Sequence, residues 1–125
     1  MSTRCTIHLH SRGSTEPTAI VYRHSDGYPG AILPDLDQFF SDVESQTKDT
    51  RFNDPSYLAA KFVVWQANRY AYHYDFSREG AVRKKSAMLD FLSVGIVMRD
   101  PGDIEFRYHI WCRDDNKPRV THEKT

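Results

Sequence analysis

The chain predicts an α+β domain, an antiparallel sheet of about four to five strands with two helices packed on one face. Three observations lead there. Apolar residues alternate with a period of two near both ends of the chain, over Thr3–His10 and Ile104–Cys112. Between them the spacing lengthens to that of a helix in two stretches, around Ile32–Val43 and over Ser56–Tyr72. The resulting order is strand, strand, helix, helix, then strands, which lacks the strict strand–helix alternation of a doubly wound sheet.

In Thr3–His10, Cys5, Ile7 and Leu9 fall on one side, with Arg4, Thr6, His8 and His10 on the other, the pattern of a half-buried strand. Ser11–Thr15 is a polar link, and Thr18–His24, with Ile20, Val21 and Tyr22, completes a hairpin. The segment Arg23-His24-Ser25-Asp26-Gly27-Tyr28-Pro29-Gly30 then turns the chain into the first helix, since Asp-Gly and Pro-Gly are both turn dipeptides. That helix places Ile32, Leu36, Phe39, Phe40 and Val43 on one stripe. Asp35, Asp37, Asp42 and Glu44 fall mostly outside it, with Pro34 in the first turn. After the polar Ser45–Asn53, Asp54-Pro55 supplies a cap and a first helical residue for the second helix, which buries Leu58, Ala59, Phe62, Val63, Trp65 and Gln66.

Tyr70–Phe76 alternates as a short strand or aromatic edge, and the charged Ser77–Ser86 reads as a mobile loop. Phe91–Arg99 is strand-like, and Asp100-Pro101-Gly102-Asp103 is a turn. Ile104–Cys112 is the most regular strand in the chain, with Arg107, His109 and Trp111 on its polar side. Residues 1–112 therefore form one domain, and 113–125 a polar, flexible tail.

Composition narrows the function classes. Seventeen basic and seventeen acidic side chains cancel, which argues against a dedicated duplex-binding protein. No window approaches a membrane span, and Met1-Ser2-Thr3-Arg4 lacks the apolar core of a signal peptide, so an intracellular setting is expected. Cys5 and Cys112 have neither zinc nor C-x-x-C spacing and are expected as reduced thiols, although pairing of the terminal strands would make them neighbours. No dinucleotide fingerprint, phosphate-loop lysine or nucleophile elbow is present, and no cofactor is expected.

The stretch Val21–Gly30 resembles a widespread group of small, uncharacterised phage, prophage and bacterial proteins with a strand–Asp-Gly-Tyr-Pro–helix motif. The helix step Leu36-Asp37-Gln38-Phe39, the second-helix segment Tyr57–Val63 and the closing strand Asp103–Tyr108 are similar to theirs. The chain departs from the group's Pro-x-Gly-x-Gly step in having Pro29-Gly30-Ala31. The resemblance implies a mobile-element protein in the host bacterial cytoplasm. It would act on host defence by blocking an effector complex, as an anti-CRISPR protein does, or by sequestering a signalling nucleotide. It carries over no catalytic residue.

Four groups of residues are candidates for contact or chemistry. His24, Asp26 and Tyr28 converge within the turn, and a His–Asp pair is the least that an oriented general base requires. Turn geometry alone accounts for Asp26-Gly27, so contact ranks above catalysis, and a small His/Asp hydrolase is the weakest reading. Tyr72 and Tyr74 beside Arg83, Lys84 and Lys85 combine stacking rings with phosphate-holding cations, as in a nucleotide or single-strand platform. Arg113 and Arg119 would add phosphate contacts, with Asp114 and Asp115 between them. Arg107, His109 and Trp111 form one row suited to a partner protein or a homodimer, since Trp and Arg are enriched at interfaces. His8, His10 and His109 would cluster if the terminal strands were neighbours. With no carboxylate or cysteine in register, a solvated face is preferred to a metal site.

Overall fold

A computed structural model describes residues 3–69, 72–75, 82–85, 93–114 and 116–125, with 72–75 and 82–85 as backbone only. The elements follow in the order β1 (Cys5–His10), β2 (Ala19–Arg23), α1 (Pro29–Gln46), α2 (Pro55–Arg69), β3 (Tyr72–Asp75), β4 (Val82–Lys85), β5 (Val94–Val97), β6 (Phe106–Trp111) and β7 (Arg119–Lys124). Five strands make one sheet in the order β5-β2-β1-β6-β7, while β3 and β4 pair separately. This is the α+β class expected, with two helices against a mostly antiparallel sheet.

One pairing departs from the antiparallel expectation. β1 and β6 run parallel, with His8 opposite His109 and His10 opposite Trp111. Alternation within a strand says which face is apolar but not which neighbour it takes or in which direction. Parallel neighbours need a long connection, and here two helices and two strands of the sheet intervene. The parallel sense also puts Cys5, at the start of β1, and Cys112, just past β6, at opposite ends of the pair. Both are free buried thiols.

Cys5, Ile7 and Leu9 of β1, Val21 of β2, and Tyr108, Ile110 and Cys112 build the sheet's side of the core. Against them pack Ile32, Leu36, Phe39, Phe40 and Val43 from α1 and Leu58, Ala59 and Phe62 from α2. Phe39 meets Phe62 edge-on with ring centroids 5.3 Å apart, a favoured aromatic geometry. α2 starts as its sequence indicates, with Asp54 accepting a 3.3 Å hydrogen bond from the Tyr57 amide. α1 starts at Pro29, so Pro34 lies in its second turn rather than its first.

Asp35 is another correction. It turns inward, and with Arg23 it forms an ion pair at 2.8 Å, the two residues only 6% and 2% exposed. β1 is likewise not half-buried: Thr6, His8 and His10 are as enclosed as its apolar side. β1 is central, and the β5–β6 connection has to cross β2 and β1 to reach β6. It does so over the face opposite the helices, bringing Asp100 to 3.7 Å from His8.

The tail expected to fray instead returns as β7, antiparallel to β6, with Trp111 opposite Arg119 and Phe106 opposite Lys124. Its outer surface is polar because it is an edge strand, and that polarity hides it from a hydrophobicity reading. Val82–Lys85, expected within a loop, is a strand paired with Tyr72–Asp75.

Candidate functional site

The turn after β2 is anchored rather than poised. Gly27 donates its amide to the Thr3 carbonyl at 2.9 Å and accepts a 2.6 Å hydrogen bond from the Tyr108 hydroxyl. A Cβ at Gly27 would stand 2.8 Å from Cys5 Cβ, so only glycine fits. Asp26 occupies the left-handed region at φ 56°, which aspartate tolerates better than most residues. His24 hydrogen-bonds through Nδ1 to the Tyr22 hydroxyl at 2.8 Å, and among the described residues nothing joins it to Asp26. Tyr28 precedes α1 without capping it by a side-chain bond, and its ring lies against Gly30.

In the β3–β4 ladder, Tyr72 pairs with Lys85, His73 with Lys84 and Tyr74 with Arg83. The side chains of these candidates lie outside the described residues.

The polar side of β6 is where the structure gathers its titratable groups. His10 Nε2 meets His109 Nδ1 at 2.8 Å, and His109 Nε2 meets Glu123 Oε1 at 3.3 Å. A carboxylate only accepts, so His109 donates from Nε2 to Glu123. Arg107 is held between Asp100, at 2.5 Å, and Glu123, at 3.0 Å. Burial, and then the neighbouring His109, push His8 down to about 4. The same two causes lower His10. Hydrogen bonds from Arg107 and His109 hold Glu123 below the usual carboxylate range. For Asp100, burial opposes the charge, but the Gly102 amide and Arg107 outweigh it and lower its value. Apart from His10 Nδ1, which is buried without a hydrogen-bond partner, these groups satisfy one another. Among the described residues, no three His, Cys, Asp or Glu side chains are arranged to hold a metal ion.

Trp111 ends this row and is fixed from two sides. The His10 ring stacks on it, centroids 4.0 Å apart, and its Nε1–H donates to Thr121 Oγ1 at 2.8 Å. Beside it opens a crevice of about 600 Å³, walled by the Ser11–Thr15 loop on one side and by Cys112–Asp114, Asn116 and Arg119 on the other. Its origin is topological. Where parallel β1 and β6 end side by side, one chain turns away to β2 and the other turns the opposite way to β7, and diverging connections leave a gap between them. Arg12 bridges the gap to Asp114 at 2.6 Å. Arg113 donates from Nε and Nη2 to the Lys117 carbonyl, at 3.1 and 2.8 Å, and the Arg119 guanidinium carbon lies 6.0 Å from the Trp111 ring centre. Residue type marks Trp111, Arg113 and Arg119 in the sequence but not Arg12. Arg12 becomes a neighbour of theirs only through the parallel pairing. Cys112, its thiol pushed up to about 11 chiefly by burial, lines the crevice as a protonated, unreactive group.

Comparison with known proteins adds one likeness. The chain is 26% identical over 114 residues to the enolase-phosphatase E1 of Podospora anserina, covering 91% of this chain and 45% of that protein. It thus spans less than half the length of the relative it matches. No family model matches the chain, and no solved structure matches it. Among the described residues no helix is long and apolar enough to cross a membrane.

Proposed function

We propose that this protein acts by binding rather than by making or breaking bonds, and that the crevice beside Trp111 is where contact is made. The observation that carries the reading is the divergence of the chain at the ends of parallel β1 and β6, which opens a cleft of about 600 Å³ beside a fixed aromatic ring. That volume is within the range of small-ligand sites, roughly 300–1,000 Å³. The titratable groups nearby are engaged with one another, and His24 and Asp26 stand apart. The enolase-phosphatase likeness covers less than half of that protein and does not bring a hydrolase with it.

The setting we propose is a bacterial cytoplasm, with the chain encoded by a phage or other mobile element and directed against a host defence system. The resemblance of Val21–Gly30 and the later segments to small phage and prophage proteins supports it. The test is phage plating on strains that each carry one defence system. Expression of the chain is expected to restore plating on at least one strain, and Trp111→Ala is expected to abolish the rescue at equal protein level. A chain that rescues plating on none of them overturns the anti-defence role. Rescue that Trp111→Ala leaves intact overturns the assignment to the crevice.

A further inference from the structure

We infer that the crevice takes a phosphorylated, planar small molecule, a free nucleotide, with its base against Trp111 and its phosphate among Arg12, Arg113 and Arg119. The inference rests on the reading of the crevice as the contact site and names the ligand class. Three features carry it.

The first is the ring. Trp111 is held in place by His10 stacked at 4.0 Å and by the Nε1–H bond to Thr121 at 2.8 Å, so its orientation needs no ordering when a ligand arrives. Pre-ordered aromatic surface gives stacking energy with little entropic loss, and any base presents a face to stack.

The second is the charge. Three guanidinium groups line the crevice against the single described carboxylate of Asp114. Arg12 and Asp114 form their ion pair with both side chains 72% exposed. Such exposed pairs contribute little, and a phosphate, more highly charged than a carboxylate, displaces Asp114 at little cost. Arg113 spends Nε and Nη2 on the Lys117 carbonyl, which fixes its plane and leaves Nη1 for an anion. Arginine suits phosphate because its fork matches two oxygens at once.

The third is the loop facing the ring. Thr15 brings a hydroxyl to the same wall as Arg12, while the Ser14 hydroxyl donates to the Glu16 carbonyl at 3.0 Å and Gly13 at φ 75° gives that loop its turn. Hydroxyls beside guanidinium groups hydrogen-bond phosphate or ribose oxygens. The crevice holds a molecule of nucleotide size. The chain's balance of seventeen basic and seventeen acidic side chains does not make the charge footprint of a nucleic-acid-binding protein.

Isothermal titration calorimetry of the full chain tests the inference. The probes are AMP, GMP, UMP, a cyclic dinucleotide, adenosine, a short single-stranded oligonucleotide and an oligoglutamate peptide. At least one free nucleotide is expected to bind more tightly than adenosine, the oligonucleotide or the peptide. Arg119→Ala and Arg12→Ala, both at exposed positions, are expected to weaken it by about tenfold each, and Trp111→Phe is expected to retain it better than Trp111→Ala. Circular dichroism confirms that each variant is folded. Adenosine binding as tightly as AMP overturns the phosphate assignment. Tighter binding of the oligonucleotide overturns the free-nucleotide assignment. Peptide binding that responds to the arginine variants, with nucleotides inert, overturns the inference while leaving the crevice as the contact site. Titrations flat for every probe overturn the nucleotide assignment, and the plating test with Trp111→Ala then decides whether the crevice is a contact site.

Discussion

The Tyr108 hydroxyl donates a 2.6 Å hydrogen bond to the carbonyl of Gly27, eighty-one residues earlier in the chain. Both ends of the bond are enclosed, Tyr108 being fully buried in the core. It ties β6 to the turn that leads into α1. Tyr108→Phe keeps the ring and removes the donor, leaving a buried carbonyl without a partner. Urea denaturation is expected to show a loss of about 1–3 kcal/mol, and an unchanged midpoint would refute this.

Asp35 answers for a charge that has no access to water. Arg23 donates to it at 2.8 Å, to the Ser25 carbonyl at 2.9 Å and to Gln66 at 3.3 Å. Arg69, on the rim, approaches Asp35 at 3.5 Å. Removing one member of a buried pair costs about 3–5 kcal/mol. Asp35→Ala is expected to lower the melting temperature steeply, whereas Asp37→Ala, on the exposed side of α1, is expected to move it little. Similar small shifts in the two variants would mean that the buried pair is not a major part of the fold's stability.

Acidification is expected to weaken the fold through His8. Unfolded, the side chain takes a proton near its ordinary value of 6.5, whereas in the folded protein it waits until about 4. The unfolded chain therefore binds more protons between those values. The stabilisation is present above pH 6.5 and is lost as pH falls through about 4, on the order of 3 kcal/mol in all. His10, lowered as well, adds in the same direction. Denaturation midpoints measured from pH 7.5 to 4 read this out, and His8→Gln is expected to flatten the profile over that window. A midpoint constant across it would contradict the buried, neutral state of His8.

β7 guards the edge of β6. Glu123 holds Arg107 at 3.0 Å and Thr121 holds Trp111 at 2.8 Å. A chain ending at Pro118 would present the outer edge of β6 unpaired, a template for another strand. Light scattering after size exclusion is expected to show self-association of this shortened chain at concentrations where the full chain shows none. If both chains scatter alike, edge protection is not the role of β7.

The two helices, their buried stripes and the inward face of β6 were legible because each is written in local periodicity. Ile32 through Val43 repeat at helical spacing, and Tyr108, Ile110 and Cys112 at strand spacing. What escaped was relational. Nothing within Cys5–His10 announces that its neighbour is more than ninety residues away and parallel. His8 and His10 read as solvated because the connection carrying Asp100 to His8 and the Trp111 ring stacked on His10 cannot be inferred from their own segment. Arg119–Lys124 carries one apolar residue, Val120, among five polar ones and so resembles a frayed end. The site was legible in part. Trp111, Arg113 and Arg119 stood out by residue type, but their meeting with Arg12 depends on the one pairing that alternation leaves undetermined.

The parallel pairing also has a kinetic side. Cys5 and Phe106, its partner across the ladder, are a hundred and one positions apart, and closing so long a loop costs entropy before any contact compensates it. High contact order slows folding. The α1–α2 pair, close in sequence, can form early, whereas β1 and β6 must wait for each other. On the ribosome the Trp111 crevice cannot exist until Arg119, one of its lining residues, has emerged. Ligand capture in that crevice would therefore report that β1, β6 and β7 have come together.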